Sequence, residues 1–285
     1  MSRIAYVDGV YRSHREAAVH VEDRGYQFAD GVYEVIAVRG GKLIDEALHL
    51  ARLRRSPGEL RIEGALADTP LKVVLREVVR RNGIDNGIVY LQITRGAAPR
   101  DHAFPKAGRP IAVVTARRSR PANPQLGEKG VSVITIPDIR WQRCDIKSVA
   151  LVANVLGKQQ AREAGAYEAW QVDALGRVTE GTSTNAWIVT ADDEVVTRAA
   201  DSAILNGVTR RVLIAIIRRE GYDFVERPFT VAEAKYACEA FLTSTTVDLL
   251  PVVAIDGDPV GNGKPGPLSE TLRAAYLAHL LAESA

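Results

Sequence analysis

Strand-like runs outnumber helical ones in this chain, and they come in clusters instead of alternating one for one with helices. That pattern predicts an α+β fold and excludes a doubly wound parallel sheet. Residues 4–7 and 10–11 flank the turn Asp8-Gly9 and read as a hairpin. Residues 32–38, 88–94, 111–115 and 131–136 are the next strands. A meander follows over 168–172, 186–190 and 194–197, and 241–246 and 252–255 end the series. Helices are fewer and better marked. One is expected from Asp45 or Glu46 to Ser56, stopped by Pro57-Gly58. A second opens on Thr69 as N-cap with Pro70 in its first position. It carries Leu71, Val74, Leu75, Val78 and Val79 at helical spacing and ends at Asn82-Gly83. Others are expected over 149–164, 208–220 and 268–281.

At 285 residues the chain exceeds what one compact core usually serves. The stretch 118–127 holds two prolines, an asparagine and a glycine with little apolar content, which marks it as a linker. The expected organisation is a small N-terminal domain over 1–119, an interdomain linker over 120–127 and a large C-terminal domain over 128–285. A net charge of +2, with acids and bases interspersed, argues against a nucleic-acid partner. The two cysteines, Cys144 and Cys238, match no disulfide framework and no metal-ligand spacing, which fits a reducing compartment. No apolar run approaches membrane-spanning length, and the first ten residues lack a leader pattern. A cytoplasmic protein without metal, nucleic acid or membrane partner is therefore expected.

Three kinds of stretch hold residues able to do chemistry. Lys147, in Asp145-Ile146-Lys147-Ser148-Val149, follows a strand-like run and directly precedes an apolar helix. By composition it is a surface lysine; the alternative is a partly buried amine that is nucleophilic towards a carbonyl. Glu180-Gly181-Thr182-Ser183-Thr184-Asn185 and Thr243-Ser244-Thr245-Thr246 are rich in hydroxyls, which in loops usually make local turn bonds. Together with Asn206-Gly207-Val208-Thr209, which opens a long helix, they can also form a single-phosphate site. Glycine permits close backbone approach, and a helix N-terminus offers unpaired N–H groups. In Arg95-Gly96-Ala97-Ala98-Pro99-Arg100-Asp101-His102, an arginine suited to bidentate carboxylate binding stands near a histidine, in a loop that reads equally well as a solvated connection.

Taken in order, these stretches resemble the class IV (fold-type IV) pyridoxal-phosphate (PLP) aminotransferases, and within them the D-amino-acid transaminase branch. The resemblance is carried by Glu22-Asp23-Arg24-Gly25-Tyr26-Gln27-Phe28-Ala29-Asp30-Gly31-Val32-Tyr33-Glu34-Val35 and by the loop 95–102. It continues through Asp138-Ile139-Arg140-Trp141-Gln142-Arg143-Cys144-Asp145-Ile146-Lys147-Ser148, then 179–185, Ile204-Leu205-Asn206-Gly207-Val208-Thr209-Arg210, and 241–246.

The resemblance implies a two-domain α+β enzyme, with a small N-terminal α/β sandwich and a larger C-terminal pseudo-barrel, and PLP as cofactor. It implies that Lys147 binds the cofactor aldehyde and moves the substrate Cα proton, and that Glu180 pairs with the pyridine nitrogen. Arg52 matches the family's phosphate arginine, with Gly207, Val208 and Thr209 donating to the same phosphate. Ser183, Thr184, Asn185, Ser244 and Thr245 match further cofactor ligands, and Leu205 the apolar residue on the ring. Tyr33, Val35, Arg100 and His102 match the substrate side, where Arg-x-His traps the α-carboxylate. Branched-chain L-amino-acid transaminases and aminodeoxychorismate lyases lack that loop. The implied reaction converts D-amino acids to 2-oxo acids, with 2-oxoglutarate or pyruvate as acceptor. Branched-chain L-amino-acid or (R)-amine transamination and lyase chemistry are the alternatives. A homodimer is implied, with the Arg100–His102 loop shared across its interface. The chain departs from the pattern at Pro57-Gly58, at Thr182 and Thr184 where relatives carry serines, and over 258–285.

Overall fold

The computed structural model describes residues 3–64, 67–119 and 123–284. The chain divides into two compact units. One comprises Met1–Arg120, Ile146–Ala150 and Leu280–Ala285; the other comprises Pro121–Asp145 and Leu151–His279. Both combine helices with a sheet, and the fold is α+β.

The first unit runs β1 (Ile4–Val7), β2 (Val10–Ser13), α1 (Arg24–Phe28), β3 (Gly31–Arg39), β4 (Lys42–Leu43), α2 (Glu46–Glu59), α3 (Asp68–Asn82), β5 (Gly87–Thr94) and β6 (Ile111–Arg118). Its sheet has the order β2-β1-β6-β5-β3-β4, with every pair antiparallel. Helices α2 and α3 pack on it and bury Leu50, Leu53, Leu71, Leu75 and Val78 against Ile36, Val89, Leu91 and Val114. Register sorts the side chains of β3 by alternation. Tyr33 and Val35 pair with Gln92 and Tyr90 on one face, whereas Glu34 and Ile36 pair with Leu91 and Val89 on the other.

The outer edge of β3 is covered by β4 only at Val38 and Arg39. Further up that edge, the Tyr33 N–H donates to the Lys147 carbonyl (2.9 Å) and the Val149 N–H to the Gly31 carbonyl (3.0 Å), while Ile146 enters the core. An open edge leaves backbone groups without partners, and this short segment supplies them. That is why 146–150 belongs to the first unit, although the sequence pattern assigns it to 128–285.

The second unit runs α4 (Pro124–Lys129), β7 (Val131–Pro137), α5 (Val152–Glu163), β8 (Glu168–Val172), β9 (Arg177–Gly181), β10 (Asn185–Val189), β11 (Val195–Thr197), α6 (Val208–Glu220), β12 (Phe224–Glu226), β13 (Phe229–Thr230), α7 (Val231–Tyr236), β14 (Glu239–Ser244), β15 (Asp248–Ile255), β16 (Asp258–Pro259) and α8 (Pro267–Ser284). Its sheet has the order β12-β11-β10-β14-β15-β7-β8-β9-β13, with β16 beside β15. The pairs β15/β7, β7/β8 and β11/β12 are parallel. Trp170, Phe229, Ile188, Leu242 and Ile255 form its core.

Several boundaries differ from the pattern for local reasons. Helix α2 passes Pro57 and ends at Glu59, because proline in the last turn forfeits only one intrahelical bond. Helix α3 starts before Thr69, with Ala67 as N-cap, and Pro70 is tolerated because first-turn N–H groups have no intrahelical acceptor. Residues 149–151 are not helical. Of the expected linker, 120–122 lie outside the described residues; Asn123 caps α4, its side chain accepting from the Gln125 N–H with Pro124 in the first turn.

Gly31 opens β3 where β5 crosses closely: a Cβ there would lie 2.7 Å from the Ile93 carbonyl oxygen. Gly31→Ala should lower the unfolding free energy by about 1–3 kcal/mol in a denaturant titration, and an unchanged midpoint would contradict the close approach.

Candidate active site

Backbone pairing sets Lys147 beside β3, and its Nζ lies 4.4 Å from the centre of the Tyr33 ring. Tyr33 stacks on Tyr90 with centroids 5.7 Å apart, and the Tyr90 hydroxyl donates to Gln92 Oε1 (2.7 Å). Burial, with the neighbouring Tyr33 adding to it, pushes the Tyr90 phenol up to about 12, so it remains a neutral donor. Lys147, Tyr33 and Val35 are thus brought together on one strand and its edge.

On the other face of β3 stands a charge cluster only part of which the sequence marks. Glu34 is 1% exposed. Its carboxylate accepts from Arg52 Nε (2.7 Å) and Nη2 (2.9 Å) in a bidentate pair, and from His49 Nδ1 (2.8 Å). His49 and Arg52 sit one helical turn apart on α2, which points both at β3. Burial pushes the Glu34 carboxyl up, but the Arg52 charge and the bonds from Arg52 and His49 outweigh it and hold it near 2. Burial lowers the His49 imidazole, with Glu34 only partly opposing, so His49 is a neutral N–H donor to the carboxylate. Two N–H groups of Arg52, the expected phosphate arginine, are therefore committed to Glu34.

Arg100 and His102 occupy the loop after β5. The Arg100 guanidinium lies 4.6 Å from the centre of the Phe28 ring, and the His102 ring 5.3 Å from the same centre.

In the second unit, Glu180 sits near the end of β9. Arg140 Nη1 donates to its Oε1 (2.5 Å), Asn185 Nδ2 to its Oε2 (3.0 Å), and the Leu205 N–H reaches both oxygens at 3.2 Å. Arg140 is itself clamped by Asp138, at 2.9 and 2.7 Å, and by the Ala203 carbonyl at 3.1 Å. Burial disfavours its charge, but Asp138 and Glu180 raise its pKa above the ordinary arginine value. Asn185 spans Glu180 and the Leu205 carbonyl (2.9 Å). Its side-chain oxygen would lie 2.2 Å from a Cβ at Gly207, so only glycine fits the N-cap of α6. Val208 and Thr209 open that helix, whose first-turn N–H groups lack intrahelical acceptors; Ser244 ends β14, against which α6 packs, and Thr245 follows in the turn.

The hydroxyl-rich turn behaves differently from its sequence reading. The hydroxyls of Thr182, Ser183 and Thr184 donate to the carboxylate of Glu168 (2.5, 3.0 and 3.5 Å), which is fully buried. A hydroxyl has one proton, so Ser183 and Thr184 cannot give the same proton to a phosphate. A buried carboxylate needs such donors, and a Glu at the head of the strand Glu-Ala-Trp-Gln-Val carries no sequence signal for that role. Cys144 is a structural thiol: burial, opposed by Arg140 and aided by Glu180, pushes it up to about 12.

The donor chemistry is that of an amine-bearing strand edge and, separately, a fixed carboxylate beside a helix N-terminus. Against that geometry, the amino-transferase class IV family profile matches residues 31–255. The chain belongs to the class IV aminotransferases. This aminotransferase is 42% identical over 271 residues to a D-alanine aminotransferase of Bacillus licheniformis, covering 95% of this chain and 94% of the relative. It is 39% identical over 281 residues to that of Staphylococcus haemolyticus, covering 98% of each. A branched-chain amino acid aminotransferase from Escherichia coli shares the fold, with a TM-score of 0.90 at 21% identity over 98% of this chain and 94% of that one. A branched-chain amino acid aminotransferase of T.th., solved with pyridoxamine 5'-phosphate, gives 0.89 at 27% identity, covering 97% and 93%. Class IV aminotransferases depend on PLP.

The Glu34 cluster makes stability depend on pH with a definite sign. Glu34 has a folded pKa of about 2 against an ordinary 4.5. Its contribution is present above pH 4.5 and is lost as pH falls towards 2. His49 is also depressed, from 6.5, so its contribution too is present above that value and lost on acidification. Urea midpoints should fall from about pH 7 downwards, with Glu34 accounting for on the order of 3 kcal/mol. Glu34→Gln should flatten the portion below pH 4.5; an unaltered profile in that variant would contradict the assignment.

Proposed function

We propose that this aminotransferase moves the amino group of D-amino acids to a 2-oxo acid, 2-oxoglutarate or pyruvate, with PLP as cofactor. The observation that carries the D-amino-acid reading is Arg100. Among the described residues it meets only the Gln27 side chain, at 3.4 Å, and the Phe28 ring, and it has no carboxylate partner. An unpaired guanidinium beside a histidine is suited to a substrate α-carboxylate.

The donor set fits the cofactor. Lys147 supplies an amine for its aldehyde, Glu180 a carboxylate whose orientation Arg140, Asn185 and the Leu205 N–H fix, and α6 an N-terminus with backbone donors at Gly207, Val208 and Thr209. Arg52, Ser244 and Thr245 add phosphate donors in this reading, and Leu205 an apolar contact for the ring. Ser183, Thr184 and Asn185 act through Glu168 and Glu180. Bound PLP supplies an electron-withdrawing ring that stabilises negative charge at the substrate Cα. Lys147 Nζ is the base that takes the proton from Cα. Tyr33 and Val35 line the substrate side beside it, and Arg100 with His102, reaching in from the other subunit in this reading, holds the α-carboxylate so that the Cα–H of the D-enantiomer faces the lysine. The products are a 2-oxo acid from the donor and an amino acid from the acceptor.

The chain is also proposed to work as a cytoplasmic homodimer in which the Arg100–His102 loop serves the partner's site. Val152, Val155 and Leu156 support the dimer: they lie at one-turn spacing on α5 and are 75%, 63% and 51% exposed, a stripe unusual for a surface that stays in water. Leu156→Glu should shift the mass by light scattering from two chains to one; a dimer unaffected by the added charge would remove α5 from the interface.

Half-reactions with separate D- and L-amino acids, followed by loss of cofactor absorbance, test the reading. Loss with D-alanine alone is expected, and loss only with L-amino acids would overturn it. Arg100→Ala should raise the KM for D-alanine by about tenfold to a hundredfold, since a charge-assisted contact is typically worth about 1.5–3 kcal/mol.

A further inference from the structure

Arg24 lies between two parts of the first unit, and the transamination reading above gives it no role. Its side chain is 4% exposed. Nε donates to Asp30 Oδ2 (2.8 Å). Nη1 donates to the carbonyls of Asp101 (2.6 Å) and Ala103 (3.3 Å), and Nη2 to that of His102 (3.4 Å). One guanidinium thus ties down three consecutive carbonyls of the loop that carries Arg100 and His102, and the Arg24 N–H also bonds the Gly96 carbonyl at the start of that loop (2.9 Å).

Asp30 makes this bracket rigid. It also accepts from Arg95 Nε (2.7 Å) and Nη2 (3.0 Å), and Arg95 goes on to donate to the carbonyls of Arg61 and Leu60 (both 2.8 Å). Burial raises the Asp30 carboxyl, but the bonds and charges of Arg95 and Arg24 outweigh it, so the carboxylate stays ionised between two cations. Phe28 completes the arrangement. Arg24 lies 4.8 Å from its ring centre, Arg100 4.6 Å, and the His102 ring 5.3 Å. Arg24 therefore fixes the backbone under His102, while the ring at the end of the same short helix supports the two side chains that the loop presents.

We infer that Arg24 and Phe28 are positioning residues for the substrate carboxylate: they hold the Arg100–His102 loop in the one shape in which both side chains can meet an α-carboxylate. The inference rests on the proposed role of Arg100 and His102. A planar fork is required, because a lysine ammonium is a point donor and cannot reach Asp30 and three spread carbonyls at once. Misplacing the loop weakens every ligand that carries an α-carboxylate, the D-amino acid and the 2-oxo acid alike.

Arg24→Lys should raise the KM for D-alanine and for the 2-oxo acid by about tenfold, with kcat within about twofold and unchanged cofactor absorbance. The deciding readout is coupling. In an Arg100→Ala, His102→Ala background the same change should produce no further rise, since the groups it positions are gone. A purely structural role would instead add in full to both backgrounds, and that result would overturn the inference. Phe28→Leu, which leaves the bonds of Arg24 intact, is read in the same way and serves if Arg24→Lys does not fold. If the Arg100→Ala, His102→Ala protein keeps the wild-type KM, the carboxylate reading itself fails. If that KM rises but neither Arg24→Lys nor Phe28→Leu raises the KM of the otherwise wild-type protein, only the inference about the bracket fails.

Discussion

Two backbone hydrogen bonds fix where the lysine-bearing segment stands in the first unit. The Tyr33 N–H meets the Lys147 carbonyl and the Val149 N–H meets the Gly31 carbonyl, so that the short segment Ile146–Ala150 completes the open edge of β3. An uncovered strand edge invites a partner, and here the partner brings the lysine that lies against Tyr33. Ile146 anchors the segment in the apolar core, which leaves Lys147 on a rigid support. The same pairing explains why the following helix begins only at Val152.

Buried charge is the second theme, and each case is resolved by neighbours of opposite sign or by donors. Glu34 is met by Arg52 and His49, Glu180 by Arg140 and Asn185, Asp30 by Arg24 and Arg95, and Glu168 by three hydroxyls with Lys158 at 3.5 Å. Leaving any of these carboxylates buried without partners costs several kcal/mol, so removing one partner is expected to hurt more than replacing a whole set. Rigid, fully bonded polar groups of this kind hold the side chains they touch in place.

Much of this was legible in the sequence, and the exceptions share a cause. The strand over 168–172 and the helix Val208–Glu220 carry strong local patterns and stand where those patterns put them. The helix boundary at Pro57 and the start of α3 turn on which N–H groups need an acceptor, which is a matter of one turn and not of composition. Residues 146–150 belong with the first unit because of the edge of β3, a strand far away along the chain, and no local signal reports that. Local pattern does not mark Glu34, His49, Arg140 and Glu168 as members of buried charge clusters for the same reason: their partners come from elsewhere in the chain. Among these, Glu34 could have been suspected, since a carboxylate in an otherwise apolar strand such as Val-Tyr-Glu-Val-Ile must find a cation. Ser183 and Thr184 show the converse, with hydroxyls of the expected type aimed at a carboxylate that the local sequence does not reveal.

The central claim is that the amine held at the edge of β3 is the one that binds the cofactor. Borohydride reduction of the PLP-loaded protein, followed by digestion and mass mapping, tests it directly. The account predicts a single pyridoxyl group on the peptide containing Lys147. A pyridoxyl group on any other lysine, or none on that peptide after full loading, would contradict it.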